Sequence, residues 1–241
     1  MTKFKLLMGL LMGSVSVGGA EEPPLLLRHT NYVVALAAAH QPLTAQLACV
    51  RHSYTTYEDS LRLRLIDDQN EEVLAREFLP EEKGRVSYRP LRSGLHLLVL
   101  DSGWNLATVR VNVPFALVAH QRCPLQFVRR PPRLYFYVPS GRRTFSLFVG
   151  SSVTGEGLRL VVYAPNGQVV CTEDGDFDKT TKLPLTVPPG AEGKVWSLAV
   201  LPPQTAGLVL DDVLLYLGEN LPPYLCLQAN WAEMFGKRKE R

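Results

Sequence analysis

The sequence has little net charge, and outside its first residues it lacks a long apolar run. Its 26 Lys and Arg residues nearly balance 23 Asp and Glu residues, so the net charge is only +3 over 241 residues. A nucleic-acid partner normally demands a clear excess of positive charge. A membrane-spanning helix needs about 18 or more consecutive apolar residues, which the rest of the chain does not offer. We therefore predict neither a nucleic-acid partner nor a transmembrane span.

Motifs that mark catalytic and metal sites are also missing. The chain has no Gly-x-Ser-x-Gly turn for a nucleophilic serine, no Gly-Lys-Ser/Thr phosphate loop and no Cys-x-x-Cys pair. Its five histidines stand singly, without the short spacing typical of zinc ligands. These absences favour a protein that is not an enzyme, with no catalytic residue and no certain cofactor. A small hydrolase whose residues meet only in the folded chain stays open as an alternative.

The N-terminal segment has the features of a secretory signal. Two lysines precede an apolar stretch at residues 6–17, which is too short to cross a hydrocarbon layer of about 30 Å. Gly18 and Ala20 are small residues of the kind that signal peptidase requires. We predict a signal peptide over residues 1–20, cleaved near Ala20, and a secreted or periplasmic protein. An uncleaved N-terminal anchor is the alternative.

Short strands are predicted along the whole remaining chain. Apolar runs, many with a period of two, recur throughout it, for example at residues 61–66 and 158–163. Turn signals such as Pro165-Asn166-Gly167 separate them, and strands do not alternate with helices. This pattern is typical of sandwiches and barrels rather than of α/β folds. The sequence therefore predicts an all-β fold.

An internal similarity indicates two domains. Residues 61–74 and 158–170 have the same order of strand, polar turn and strand, at an offset near 100 residues. We expect two tandem β-sandwich domains of jelly-roll type and a short helix near the C-terminus, capped by Asn230. The predicted parts are a signal peptide at 1–20, the two sandwiches at 24–113 and 114–221, and a C-terminal tail at 222–241.

The sequence does not decide whether its four cysteines form disulfides or remain reduced. Cys49, Cys123, Cys171 and Cys226 can form disulfides in an oxidising compartment, and four cysteines allow three pairings. If each domain closes its own bridge, Cys171–Cys226 is the expected pair. Reduced, buried thiols on strands are equally compatible with the sequence.

Three segments of the second half carry a family resemblance. Residues 134–141, with a Val-Pro-Ser-Gly turn, resemble the opening strands of bacterial pre-peptidase C-terminal-type sandwiches, and the hairpin at 158–170 is similar to one in the same modules, with Ala164 where the family has Asp. Residues 210–215 are similar to the closing strand of galactose-binding-like jelly rolls, which are common among carbohydrate-binding modules. The resemblance implies an exported accessory module.

Aromatic and basic side chains are the candidate ligand residues. Sugar rings stack on Trp and Tyr, which also offer a polar group for hydrogen bonds. Trp104 falls in a predicted exposed loop. If Phe136 is in the core, the two tyrosines that flank it on the strand face outward, next to arginines that suit an acidic glycan or another anionic polymer. The predicted ligand residues are Trp104, Tyr135, Tyr137, Arg142 and Arg143.

Clustered carboxylates are the candidate metal ligands. Calcium prefers several oxygen ligands, and an acidic segment holds Asp174, Asp176 and Asp178 close together. The alternative is a solvated loop. The resemblance to jelly rolls implies a second structural calcium candidate at Asp211 and Asp212.

The predicted function is non-catalytic binding. The predicted fold, the resemblance and the aromatic residues favour an exported protein that recognises polysaccharide or cell-envelope material. A structural or protein-interaction protein of the envelope, with no small-molecule ligand, is the alternative. Sandwich folds host many activities, so function depends on the site rather than on the fold.

Overall fold

The computed structural model describes residues 23–52, 56–151 and 153–238. Within these ranges the chain forms sixteen strands and one short helix. The prediction of an all-β fold with a short C-terminal helix is confirmed. The predicted signal peptide at 1–20 lies outside the described residues.

The elements follow one another with short connections. The first seven strands are β1 (Leu26–Ala37), β2 (Leu43–Val50), β3 (Leu61–Ile66), β4 (Glu72–Phe78), β5 (Lys83–Tyr88), β6 (Gly94–Val111) and β7 (Phe115–Val118). They are followed by β8 (Leu125–Val128), β9 (Leu134–Val138), β10 (Thr144–Gly150), β11 (Gly157–Tyr163) and β12 (Val169–Asp176). The last elements are β13 (Thr181–Thr186), β14 (Lys194–Leu201), β15 (Asp212–Leu217), β16 (Tyr224–Leu225) and the helix α1 (Ala229–Gly236).

Two antiparallel sheets account for these strands. In the described chain the larger sheet has the order β13-β10-β15-β8-β1-β6-β2-β5, with β3, β4, β7 and β16 joined to it at the sides. The smaller sheet has the order β12-β11-β14-β9. Strand β8 pairs with both β1 and β15, so the larger sheet continues across the predicted domain boundary near residue 114. The division into two domains stays a prediction.

Strand β1 changes neighbours half-way along its length. Leu26 and Leu27 pair with β8, whereas Val33 and the two residues after it pair with β7. The register against β6 shifts between Arg28 and Thr30, where His29 has a φ of 58°. Positive φ is uncommon outside glycine, and an irregular pairing bends a strand and increases its twist. The bend lies between the two parts of the strand, which pair with different neighbours.

Strand β6 makes the matching change on the other side of β1. Its first part pairs with β3 and its last part with β2. Between the two parts lies Gly103, with a φ of 54°, and a Cβ there would collide with the Asp59 side chain. Glycine is required at this position both by the backbone conformation and by the close approach.

The alternation of apolar and polar residues in the sequence matches the alternation of buried and exposed side chains in the structure. On β3, Leu61, Leu63 and Leu65 are buried and the two arginines between them are exposed. In the second half of the chain, Trp196 packs edge-to-face on Phe145, with 5.2 Å between ring centroids, and is 1% exposed. Its indole N–H donates to the Ala191 carbonyl oxygen at 2.9 Å, so its polar atom is satisfied inside the core.

Helix α1 lies across β9 and β14. Ala232 and Phe235 are its buried residues, and Gly236 contacts the ring of Tyr137 so closely that a side chain would not fit there. The predicted helix is confirmed, although Gln228 rather than Asn230 stands at its N-terminal cap. The helix is far too short to cross a membrane, and no other helix of the described residues is a candidate span.

The four cysteines are free thiols. Cys49 and Cys226 are buried, and Cys123 and Cys171 are partly buried. Cys171 lies on β12, at an edge of the smaller sheet, while Cys226 lies under α1, so the expected Cys171–Cys226 bridge is not formed. Burial raises the pKa of the Cys226 thiol to about 12, which makes it a poor nucleophile.

A buried asparagine joins the bend of β1 to β8. Asn31 is 1% exposed, and its amide nitrogen donates to the carbonyl oxygens of Arg28 and Gln126 at 2.8 and 3.0 Å. Its amide oxygen accepts the Gln126 N–H at 2.9 Å. The side chain therefore replaces the strand hydrogen bonds that the bend removes.

Replacing this asparagine should destabilise the protein strongly. Asn31→Ala leaves buried backbone groups of Arg28 and Gln126 without partners, so we expect the free energy of unfolding to fall by about 3 kcal/mol. Asn112→Ala is the matched control, because that exposed side chain also bonds two backbone groups, at Thr44 and Pro42. The control should lose about 1 kcal/mol or less. Equal losses in urea denaturation would contradict the bridging role.

Candidate functional site

A small cavity lies beside the bend of β1. Its volume is about 190 Å³, and β1, β8, β10 and β15 contribute to its wall. The polar side chains in its lining include Arg28, His29, Gln126, Ser151, Asp178 and Asp212. The bend itself places the first two of these at the cavity.

Arg28 is the buried cation of the site. It is 6% exposed, and one terminal nitrogen of its guanidinium contacts both carboxylate oxygens of Asp212 at 2.5 Å. Among the described residues, its buried Nε has no hydrogen-bond acceptor. A buried donor without a partner costs about 1–3 kcal/mol, so Arg28 is an energetically costly residue at this position.

Glu156 fixes the start of β15. Its Oε2 accepts the Ser151 hydroxyl at 2.7 Å and the backbone N–H of Asp212 at 3.1 Å. The residue is 8% exposed, and burial raises the pKa of its carboxyl. Next to it, the Asp211 carboxylate lies 3.7 Å from the Nε2 of His52. Glu156 therefore acts as a clamp that holds Asp212 against Arg28.

Trp104 packs against His29 and Arg28, two residues of the cavity wall, and is the aromatic rim beside the cavity. Its ring is edge-to-face with that of His29, with 4.9 Å between centroids, and the Arg28 guanidinium lies 5.2 Å from its centroid. The Tyr57 ring is 5.9 Å away. Trp104 remains 52% exposed, which confirms the predicted exposure, but it lies inside β6 rather than in a loop. An exposed aromatic face thus adjoins a polar cavity.

His29 is a neutral partner for this ring. Burial and, after it, the positive charge of Arg28 lower the pKa of the His29 imidazole. At neutral pH it is therefore uncharged, and its contact with Trp104 is one of aromatic edges and faces.

A second buried asparagine supports the aromatic rim. Asn105 is fully buried, and its amide nitrogen donates to the carbonyl oxygens of Tyr57 and Asp59 at 3.0 and 2.8 Å. Its amide oxygen accepts the His52 N–H at 3.2 Å. The segment that carries Tyr57 is thereby fixed beside Trp104.

The other predicted ligand residues lie elsewhere. Phe136 is fully buried as expected, but Tyr137 is only 7% exposed because α1 covers it, so its prediction as an outward platform is wrong. Tyr135 is partly buried and exchanges backbone hydrogen bonds with Cys226. Arg142 and Arg143 are exposed in the turn after β9. The structure does not bring these residues together with Trp104.

The five predicted calcium ligands do not form one group, although Asp178 and Asp212 line the same cavity. Asp174 accepts backbone N–H groups of Gln204 and Thr205, which lower the pKa of its carboxyl and fix that loop. Asp176 accepts the N–H of Asp178 at 2.9 Å. The remaining pair, Asp211 and Asp212, faces His52 and Arg28. No group of three or more acidic, His or Cys side chains in the described ranges is placed to hold a metal ion.

Several site residues were not found from the sequence. Arg28, Asn31, Asn105 and Glu156 are buried polar residues of the site, yet none belongs to a motif. A signal was present at Arg28, because a charged residue directly follows three leucines. In the structure this position lies near the start of β1. A buried charge in such a position needs a partner, and the partner lies 184 residues away.

Comparisons with known proteins add no family to this description. No protein-family model matches the chain, and no curated protein matches it either. The resemblance to exported sandwich modules stays a prediction, and function has to be argued from the geometry of the site.

The clamp residue should make stability depend on pH. A carboxyl whose pKa is raised in the folded protein stabilises it below the unfolded pKa, and that contribution is lost as the pH rises through the folded pKa. Glu156→Gln keeps an acceptor oxygen but cannot ionise. We expect the stability of this variant relative to wild type to increase as the pH rises above 4.5, the ordinary value.

Denaturation in urea at a series of pH values measures this difference. Glu77→Gln, which removes an exposed carboxylate on β4, is the control and should change stability equally at all pH values. A difference between Glu156→Gln and wild type that does not vary with pH would contradict the role of the buried carboxyl.

Proposed function

We propose that this protein is a non-catalytic exported binding protein that recognises a neutral polysaccharide of the cell envelope or surroundings. The observation that carries the proposal is an exposed indole, Trp104, packed against Arg28 of the cavity wall, whose buried Nε has no partner among the described residues. Both features suit one sugar residue, which has an apolar ring face and hydroxyl groups at its edge.

Hydroxyl groups match the polar atoms of the cavity. A hydroxyl donates one hydrogen bond and accepts others. Arg28 offers a donor, the carboxylates of Asp178 and Asp212 are acceptors, and Gln126 supplies an amide that does either. A ligand with several hydroxyls can therefore satisfy donors and acceptors at once.

The charges of the cavity favour a neutral ligand over an acidic one. One guanidinium stands against two carboxylates in the wall, at Asp178 and Asp212, and Glu156 lies behind them. Burial and the nearby Asp176 raise the pKa of the Asp178 carboxyl, in keeping with the crowding of negative charge here. An anionic ligand would add to this repulsion.

The volume of the cavity limits what enters it. About 190 Å³ holds roughly six water molecules and is smaller than the site of a typical drug-sized ligand. One sugar unit, stacked on the rim by one face and bonded into the cavity by its edge, is an occupant of suitable size. Export is the remaining part of the proposal and rests on the predicted signal peptide.

Removing the indole tests the proposed function. Electrophoresis of residues 21–241 through gels that contain hydroxyethylcellulose, xylan, galactomannan or mannan should show retardation by at least one polymer. Trp104→Ala should weaken that retardation at least tenfold in apparent affinity, because loss of a stacking surface costs about 1.4 kcal/mol or more.

The matched control is Leu91→Ala, which removes another large exposed apolar side chain, 77% exposed on the β5–β6 connection. It should leave the retardation unchanged. Retardation by none of the neutral polymers, with a folded protein, would overturn the proposed function and favour a protein partner.

A further inference from the structure

The outer face of the larger sheet extends beyond the cavity. On β15, Val213, Leu215 and Leu217 are buried, so Asp212, Leu214 and Tyr216 point to the opposite, outer face. Asp212 and Leu214 line the cavity described above. Tyr216 therefore lies on the same face as the proposed sugar site, further along the strand.

The strand register places an aromatic pair in the next row of this face. Tyr216 pairs with Phe148 on β10, and Phe148 pairs with Lys182 on β13. The rings of Phe148 and Tyr216 are stacked, with 4.5 Å between centroids and 6° between planes. Both residues are partly exposed, on strands whose intervening residues are in the core.

A second and larger cleft surrounds this pair. Its volume is about 630 Å³. The aromatic pair forms its apolar part, and the polar part comes from several different elements: Gln121, Ser146, Lys182, Glu219 and Asn220. Hydrogen-bonding side chains, one of them positively and one negatively charged, thus border an aromatic surface. Trp104 likewise lies next to polar and charged side chains.

The separation of the two clefts sets the length of a common ligand. Asp212 and Tyr216 are four residues apart on one strand, which corresponds to about 13 Å. Gln126 and Leu214, which pair across β8 and β15, line the first cavity. Leu214 is two residues before Tyr216 and on the same face of β15, so the two clefts are neighbours along this strand. A single sugar unit cannot reach from Trp104 to Tyr216, but an extended chain of several units can.

We propose that the cleft at Phe148 and Tyr216 is a second subsite for the same polysaccharide chain, which lies along the outer face of the larger sheet. This inference rests on the proposed function, because it assigns a second part of one ligand. The mixed charges of Lys182 and Glu219 favour a neutral polyhydroxyl chain here as well. The ligand is therefore a linear polymer bound along its length rather than a free monosaccharide.

The dependence of affinity on oligosaccharide length distinguishes the two subsites. Titration calorimetry would use oligosaccharides, from disaccharide to hexasaccharide, of whichever backbone retards wild type: cello-, xylo- or manno-oligosaccharides. Affinity should increase by about tenfold once the chain is long enough to reach Tyr216. Tyr216→Ala and Phe148→Ala should remove this increase while leaving the affinity for the shortest bound oligosaccharide unchanged.

Two further variants test whether the effect comes from the second cleft itself. Ser146→Trp fills the second cleft while keeping both rings, and it should remove the same increase. Tyr163→Ala is the matched control, because that tyrosine is a partly exposed aromatic residue on the outer face of the smaller sheet. The control should behave as wild type. Thermal melting would confirm that each variant is folded.

The possible results distinguish the two proposals. Binding that Trp104→Ala abolishes but that does not strengthen with chain length would overturn the second subsite alone. Variants at Tyr216 that weaken short and long chains equally would do the same. Binding of no oligosaccharide and no polymer would overturn the proposed function and this inference together.

Discussion

The bend of β1 at His29 is the constraint on which the rest of the structure depends. Before it, the strand pairs with β8, and after it with β7, so one strand joins these two parts of the larger sheet. The irregular pairing removes ladder hydrogen bonds, and Asn31 supplies replacements to Arg28 and Gln126. The same bend brings Arg28 to the wall of a cavity. Architecture and candidate site therefore have one origin.

The edges of the two sheets carry features that oppose pairing with another chain. An exposed edge offers unpaired backbone groups to another chain, and charge or proline blocks such pairing. The edge strand β12 carries three acidic residues between Glu173 and Asp176, and β13 carries Lys182 and Pro184. On the smaller sheet, the far edge of β9 is occupied by the segment of Cys226 and by α1. The exposed faces, rather than the edges, are thus left for recognition.

Local patterns in the sequence were enough to predict the strands. The site could not be predicted in the same way, because it depends on contacts between residues far apart in the chain. The alternation at Leu61, Leu63 and Leu65 follows directly from burying one face, so it was predictable. The exposure of Trp104 was predictable for a similar reason, since polar residues and a glycine surround it. The covering of Tyr137 was not, because the helix that covers it begins more than ninety residues later in the chain. The pairing of Arg28 with Asp212 was hidden in the same way.

Stability alone does not account for Arg28. A buried ion pair is often no more stabilising than apolar residues of similar size, and the unpartnered Nε adds a cost of about 1–3 kcal/mol. Leucines precede Arg28 on the same strand, so an apolar residue would fit the local pattern. A ligand oxygen that accepts a hydrogen bond from the guanidinium would offset this cost only in the bound state, and the offset would then contribute to affinity. The guanidinium, held in place by Asp212 and packed against Trp104, is therefore consistent with the proposed binding role.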